Sequence, residues 1–328
     1  MRARAAPRPR KLPIRQATVE EMTMTDWVTL HHKPQAAEIY MIAGWQQWAD
    51  AGSVSSGLPK YLITHTRARK VGEMSPDGFY LFQIPSTHHL LRPEVNFEEG
   101  YSRRIEPHKN EFFYADLDGK GLVIFAGDEP HMNIDRYADG FFSAIKTLGV
   151  RRAALIGGVY GAMPYDKDRE VSCTYSLPRM KAELSDYAVR FSNYQGGATI
   201  GSYLVDAAEA YEIELFVFNA FVPAYDFSQA SASVQGVRIE HDYKAWYELM
   251  RRFNHMFGLG IDLSDLDRQS EELISSLDAK IEELERTLPQ INVRGYLEKL
   301  SSSFVERPFM PLDDVWEREL GDLFDEDE

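Results

Sequence analysis

Two glycine-rich stretches hold the residue types best suited to ligand chemistry. "GGVYGAMP" runs from Gly157 to Pro164 and "GGATIG" from Gly196 to Gly201, each beside a predicted strand–helix junction. Glycine lets a ligand approach the backbone closely, and free amides at such junctions form a nest for a phosphate or carboxylate. Amides from Gly157, Gly161 and Met163, and from Gly196, Gly197 and Thr199, are the candidate anion donors. Arg92, His131, Lys167 and Arg169 supply nearby charge, while Tyr160 and Tyr225 offer rings to a base or sugar. The alternative is that these glycines only permit tight turns and close helix–sheet packing.

Sharper signatures are missing. The sequence has no GxxxxGK[ST] phosphate loop, and no GxGxxG opens a helix after a strand. "GSVSSG" (52–57) places its serines at the wrong offsets for a nucleophile elbow. His88 and His89 are adjacent, so they face apart on a strand, and no HExxH motif accompanies them. Cys173 is the only cysteine, which excludes an intrachain disulfide and a cysteine zinc cluster. It suits a small buried hydrophobe and a reducing cytoplasm. No catalytic residue, metal site or cofactor is expected.

The elements that would carry these loops alternate. "AEIYMIAG" (37–44) reads as a buried strand, and the next segment has helical spacing with Asp50 placed as its N-cap. A hairpin region around "PHKN" and Gly119–Gly121 leads into the strand "LVIFAG". "NIDRYADGFFSAIKTLG" is an amphipathic helix ending at Gly149, followed by the strand "RRAALIGG". A short helix near Pro178, the strand "AVRFSNY", a helix after Gly197 and the strand "ELFVFNAFVP" complete the alternation. Continuous apolar runs fit strands covered on both faces, hence a three-layer α/β/α sandwich. After Tyr225 only helices are expected. Leu263, Leu266, Leu273, Leu277, Ile281, Leu284 and Leu288 line one face there, to pack on the sandwich or on another subunit.

Charge is uneven along the 328 residues. Arg2, Arg4, Arg8, Arg10, Lys11 and Arg15 precede the first acid, Glu20, and "DDVWERELGDLFDEDE" closes the chain. Both ends read as solvated tails. The net charge of −15 argues against nucleic acid as a partner, and no apolar run of about 18 residues offers a membrane span. The division expected is a basic arm (1–24), a sandwich (25–235), a helical segment (236–310) and an acidic tail (311–328).

"AGWQQWADAG", "GGVYGAMP", "GGATIGSYLVDAAEAYEI", "FVPAYDF" and "HDYKAWYELM" occur in an order and spacing that resembles the proteasome assembly chaperone 2 family, bacterial and archaeal branch. The likeness runs over roughly residues 39–284 and rests on Gly44, Trp45, Asp50, Gly52, Gly157, Gly161, Gly196, Gly197, Gly201 and Tyr225. It implies a sandwich resembling purine nucleoside phosphorylases, a C-terminal helical segment and self-association, with a trimer as one stoichiometry. Eukaryotic relatives help assemble proteasome α-rings. The expectation is therefore a non-enzymatic homo-oligomer with a further protein as partner. The alternative is an enzyme or sensor for a nucleoside-like or phosphorylated molecule, recognised by convergence of Trp45, Tyr160, Arg92 and the glycine amides on one pocket.

Overall fold

The computed structural model describes residues 22–25, 27–82, 94–227, 236–289 and 292–310. Arg92, His88, His89, most of the basic arm and the whole acidic tail lie outside the described residues. The chain opens with β1 (Met22–Thr25), β2 (Val28–Leu30), β3 (Glu38–Gln46), α1 (Val54–His65) and β4 (Arg69–Met74). It continues through β5 (Glu94–Glu98), β6 (Tyr101–Glu106), β7 (Asn110–Leu117), β8 (Lys120–Asp128), α2 (Ile134–Leu148) and β9 (Val150–Gly161). Next come β10 (Val171–Tyr175), α3 (Lys181–Leu184), β11 (Val189–Phe191), α4 (Ile200–Ala210) and β12 (Glu214–Tyr225). A two-residue β13 (Val237–Arg238) precedes α5 (Tyr243–Phe257), α6 (Ser264–Thr287) and α7 (Val293–Ser303).

One sheet, in the order β1-β2-β4-β7-β8-β3-β9-β12-β10-β11, forms the middle layer. Its centre, β8-β3-β9-β12, is parallel, and antiparallel strands extend it on both sides. Side chains alternate between two cores, as the two-residue period of a strand requires. Tyr40, Ile42, Ile124, Ile156 and Phe218 face α1, α5 and α6, whereas Met41, Ala43, Phe125, Leu155 and Val217 face α2 and α4. The expected three-layer sandwich is present.

Four local expectations change. The hairpin closes at Asp118–Gly119 between β7 and β8, while β6 pairs with β5 in a separate two-stranded sheet. β9 runs on to Gly161, so most of the supposed glycine loop is strand. "VSCTY", which the charged "DKDRE" before it obscured, is β10, with buried Cys173 opposite Phe218. Strands also continue past Tyr225, because β13 pairs with the end of β12.

The leucine face of α6 returns to the chain's own core. Leu266, Leu277 and Ile281 are buried in the cluster that α5 shares with the sheet, and Leu273 and Leu284 pack against it. Truncation after Asp262 would therefore uncover the core. Ile281→Val is expected to lower stability by about 0.5–1.5 kcal/mol, read as a shift in the urea midpoint. The shift should not vary with protein concentration, as it would if this face closed a subunit interface.

Candidate functional site

Ligands of open α/β sheets gather where parallel strands end, because helix N-termini present unpaired amides there. β8, β3 and β9 end at Asp128, Gln46 and Gly161, and two helix starts lie beside them. The start of α1 is taken by Asp50, whose Oδ1 accepts from the amides of Ser55 (3.1 Å) and Ser56 (2.9 Å). This is the capping role its position suggests, reached across a 3-10 turn at 51–53. The start of α4 is taken by Thr199 and Ser202 in a capping box, and by Glu129. Glu129 Oε1 accepts from the Ile200 amide at 2.8 Å, and Oε2 accepts from the Trp48 amide at 3.2 Å. Burial raises the Glu129 pKa, against the pull of those two hydrogen bonds. Each helix end therefore holds a carboxylate of its own chain where a ligand's anion would sit.

The glycines fit by close approach. A Cβ on Gly44 would stand 2.0 Å from the Ser55 carbonyl oxygen, and one on Gly158 would stand 2.0 Å from that of Ala51. On Gly157 it would meet Asn219 Oδ1 at 2.2 Å. The Gly158 amide already donates to Ala49 O at 2.8 Å. Gly52 has φ +62°, a conformation glycine adopts without strain, and its carbonyl accepts from the Asp242 amide and the Trp246 indole.

The aromatic candidates separate. Trp45 is buried against Phe125 and Phe141, with its indole N–H donated to Tyr137 Oη at 2.8 Å. Tyr225 is buried on the other face of the sheet, where its hydroxyl donates to Met163 O at 2.8 Å. Tyr160 is half exposed, with the Arg238 guanidinium 5.7 Å from its ring centre. Gly196 and Gly197 lie on an exposed connection, and Gly161 is edged by Phe221. Of the residues singled out by sequence, Gly44, Trp45, Asp50, Gly157 and Thr199 collect around Ser55, Ala49 and Glu129. Tyr160, Met163 and Tyr225 do not.

Between Trp45, Ala49, Ser55, Glu129, Thr199 and Asn219 remains a cavity of about 20 Å³. That is room for about one water molecule. A larger groove of about 520 Å³ lies between the loop after β9, α6 and α7, and none of the candidate glycines lines it. It is walled by Asp166, Asp278, Glu282 and Glu298 with Arg294, a charge balance that repels anions. Among the described residues no group of three or more His, Cys, Asp or Glu could hold a metal, and no helix is long and apolar enough to cross a membrane.

A polar network adjoins the site, and sequence spacing did not indicate it. Asn110 Oδ1 accepts from the hydroxyls of Tyr80 and Tyr137, both at 2.9 Å, and His108 Nδ1 lies 3.1 Å from Asp128 Oδ2. His131 accepts the Leu81 amide at Nδ1 and meets Gln47 Oε1 through Nε2, both at 3.1 Å. Arg169, a candidate for anion binding, is fully buried and engaged with Asp242.

Residues 44–281 match the sequence profile described as the PAC2 family. No curated protein matches the chain. Among solved structures, a PAC2 family protein from Streptomyces avermitilis superimposes with a TM-score of 0.62 at 20% identity, over 74% of this chain and 95% of that one. The Mycobacterium tuberculosis proteasome-assembly chaperone homologue gives the same TM-score and identity, over 74% and 94%. Pyrococcus furiosus PbaB, an archaeal proteasome activator, gives 0.53 at 19% identity, over 77% and 97%. At such identities the structures share a fold, while the profile match over most of the sequence identifies the lineage: the chain belongs to the PAC2 family.

Proposed function

We propose that this protein works through protein contacts, as a homo-oligomeric assembly factor in the cytoplasm, rather than by turning over a small molecule. The observation that carries this reading is occupancy. Both helix N-termini at the carboxyl edge are filled by Asp50 and Glu129, and the space left between them admits about one water. At the same carboxyl edge of the sheet, past β3 and at the end of β9, stand exposed rings, Trp48 at 75% exposure and Tyr160 at 49%, of the kind enriched at protein interfaces. Two structural neighbours are a proteasome-assembly chaperone homologue and a proteasome activator, so proteasome core subunits are the first partner to try. In this reading the sandwich (25–235) and the helices of 236–310 act as one body, since α5 and α6 close the core beneath the sheet.

Native mass spectrometry of the full-length protein, alone and mixed with proteasome α subunits, is the test. A closed homo-oligomer that binds α subunits is the expected result. A monomer that ignores them would sink the proposal. A retained adduct of nucleotide-like mass would instead favour the ligand reading, in which Gly157–Met163 and Gly196–Thr199 hold the anion with Tyr160 beside it. Such a ligand would have to displace the Glu129 carboxylate from α4.

A further inference from the structure

The connection between β8 and α2 carries two side chains that accept backbone amides, two residues apart. Glu129 holds the amides of Trp48, after β3, and Ile200, at the start of α4. His131 holds the amide of Leu81, beyond β4, and contacts the side chain of Gln47. Because a backbone N–H can only donate, the Leu81 contact fixes the ring as the tautomer with a bare Nδ1 and a protonated Nε2, which donates to Gln47 Oε1. A proton added to Nδ1 would face another donor. A proton added to Glu129 leaves acceptor lone pairs on the carboxyl and relieves the cost of burying its charge, so that contact is not one acid releases.

We propose that His131 forms an acid-released clasp, which ties the connections at 47 and 81 together at neutral pH and frees them on acidification, while Glu129 holds 48 and 200 at either pH. The surroundings favour it. His131 packs edge-on to Tyr80 (5.5 Å between ring centres) and to His108 (5.9 Å). The carboxylate that acts on His131, Asp128, is engaged by His108 and by the Lys109 amide. Burial, then the neighbouring His108, lowers the His131 pKa, and Asp128 opposes the shift. Glu129 pairs with no cation among the described residues, and its burial acts upward. The two shifts act in opposite senses: a His131 pKa lowered from 6.5 in the closed form means that the open form takes up the proton more readily, so acid favours opening there, whereas a Glu129 pKa raised from 4.5 means that acid keeps its contacts closed. Gln47 adds a bias toward release, because its φ of +124° is one a non-glycine residue rarely adopts.

Hydrogen exchange of the full-length protein tests this, with rates at about pH 7.5 and about pH 5 corrected for intrinsic exchange. Protection of the Leu81 amide should fall about tenfold at the lower pH, while Trp48 and Ile200, held by Glu129, and Met41 in β3 and Leu155 in β9 keep theirs. His131→Asn places a non-titrating carbonyl near the Nδ1 position, and should remove the pH dependence at Leu81 alone. Glu129→Gln should leave the pH dependence at Leu81 in place. Unchanged Leu81 protection in the unaltered protein overturns the clasp, as does a loss at Leu81 that persists in His131→Asn or vanishes in Glu129→Gln. So does simultaneous loss in β3 and β9, which would mean global unfolding.

Discussion

Replacing Arg169 by methionine should unfold the protein at a clearly lower urea concentration, at a cost of about 3–5 kcal/mol. Arg169 and Asp242 are both fully buried and meet through two hydrogen bonds, Nε to Oδ2 at 2.8 Å and Nη2 to Oδ1 at 3.2 Å. Nη1 donates to the carbonyls of Tyr165 and Lys167, pinning the loop after β9. Asp242 Oδ1 also accepts the Ala245 amide as the N-cap of α5, and the Asp242 amide donates to Gly52 O. Methionine fills much of the volume but leaves a buried carboxylate without its counter-charge and two carbonyls without donors. The double variant Arg169→Met with Asp242→Asn removes both charges and keeps a capping oxygen. It should cost less than the sum of the singles by about 1–3 kcal/mol. Additivity within about 0.5 kcal/mol would show that the pair is not coupled.

Gly158→Ala is expected to cost about 3 kcal/mol or more, at or beyond the upper end for an overpacked core. The added Cβ meets backbone, the Ala51 carbonyl oxygen at 2.0 Å, which has no rotamer by which to retreat. Relief would require breaking the bridge between Asp50 and Gly158 and the hydrogen bond from Gly158 to Ala49. That bridge sets the segment from which Asp50 caps α1, so helix and strand loosen together. Gly161→Ala should be milder, since its Cβ would meet only the Phe221 ring, and Gly197→Ala, with open space around it, should fall within about 0.5 kcal/mol of neutral. Thermal unfolding of the three variants would show this order. Equal costs at 158 and 197 would disprove the close-approach account.

The layers were legible in the sequence because strands buried on both faces read as unbroken apolar runs, and because α2 ends in glycine beyond a regular apolar stripe. The role of the glycines was not. A glycine at a strand end and one in a ligand loop look alike in one dimension; Ala51 and Asn219, distant in sequence, decide that Gly157 and Gly158 are packing positions. Charge misled for a related reason. Arg169 reads as charge available to a ligand, but the fold buries it against Asp242, and it buries Glu248 and Arg252 as well. Arg252 reaches Glu248 one helical turn away at 3.0 Å, a spacing the sequence did show. Glu129 left a weaker trace, an acid just past the carboxyl end of a predicted strand, where the sandwich expectation already placed the functional edge.

The position of β3 has a consequence for biosynthesis. It lies between β8 and β9, yet emerges from the ribosome well before either. Until residues 120–161 are made, the run "IYMIAGW" has α1 to cover it but neither of its sheet partners. At about 5–20 residues per second that interval is on the order of ten seconds. During it a bare apolar strand with two unpaired edges can pair with another nascent chain. A protein whose relatives include an assembly-chaperone homologue would, on this topology, itself gain from a holdase acting on its first ~120 residues.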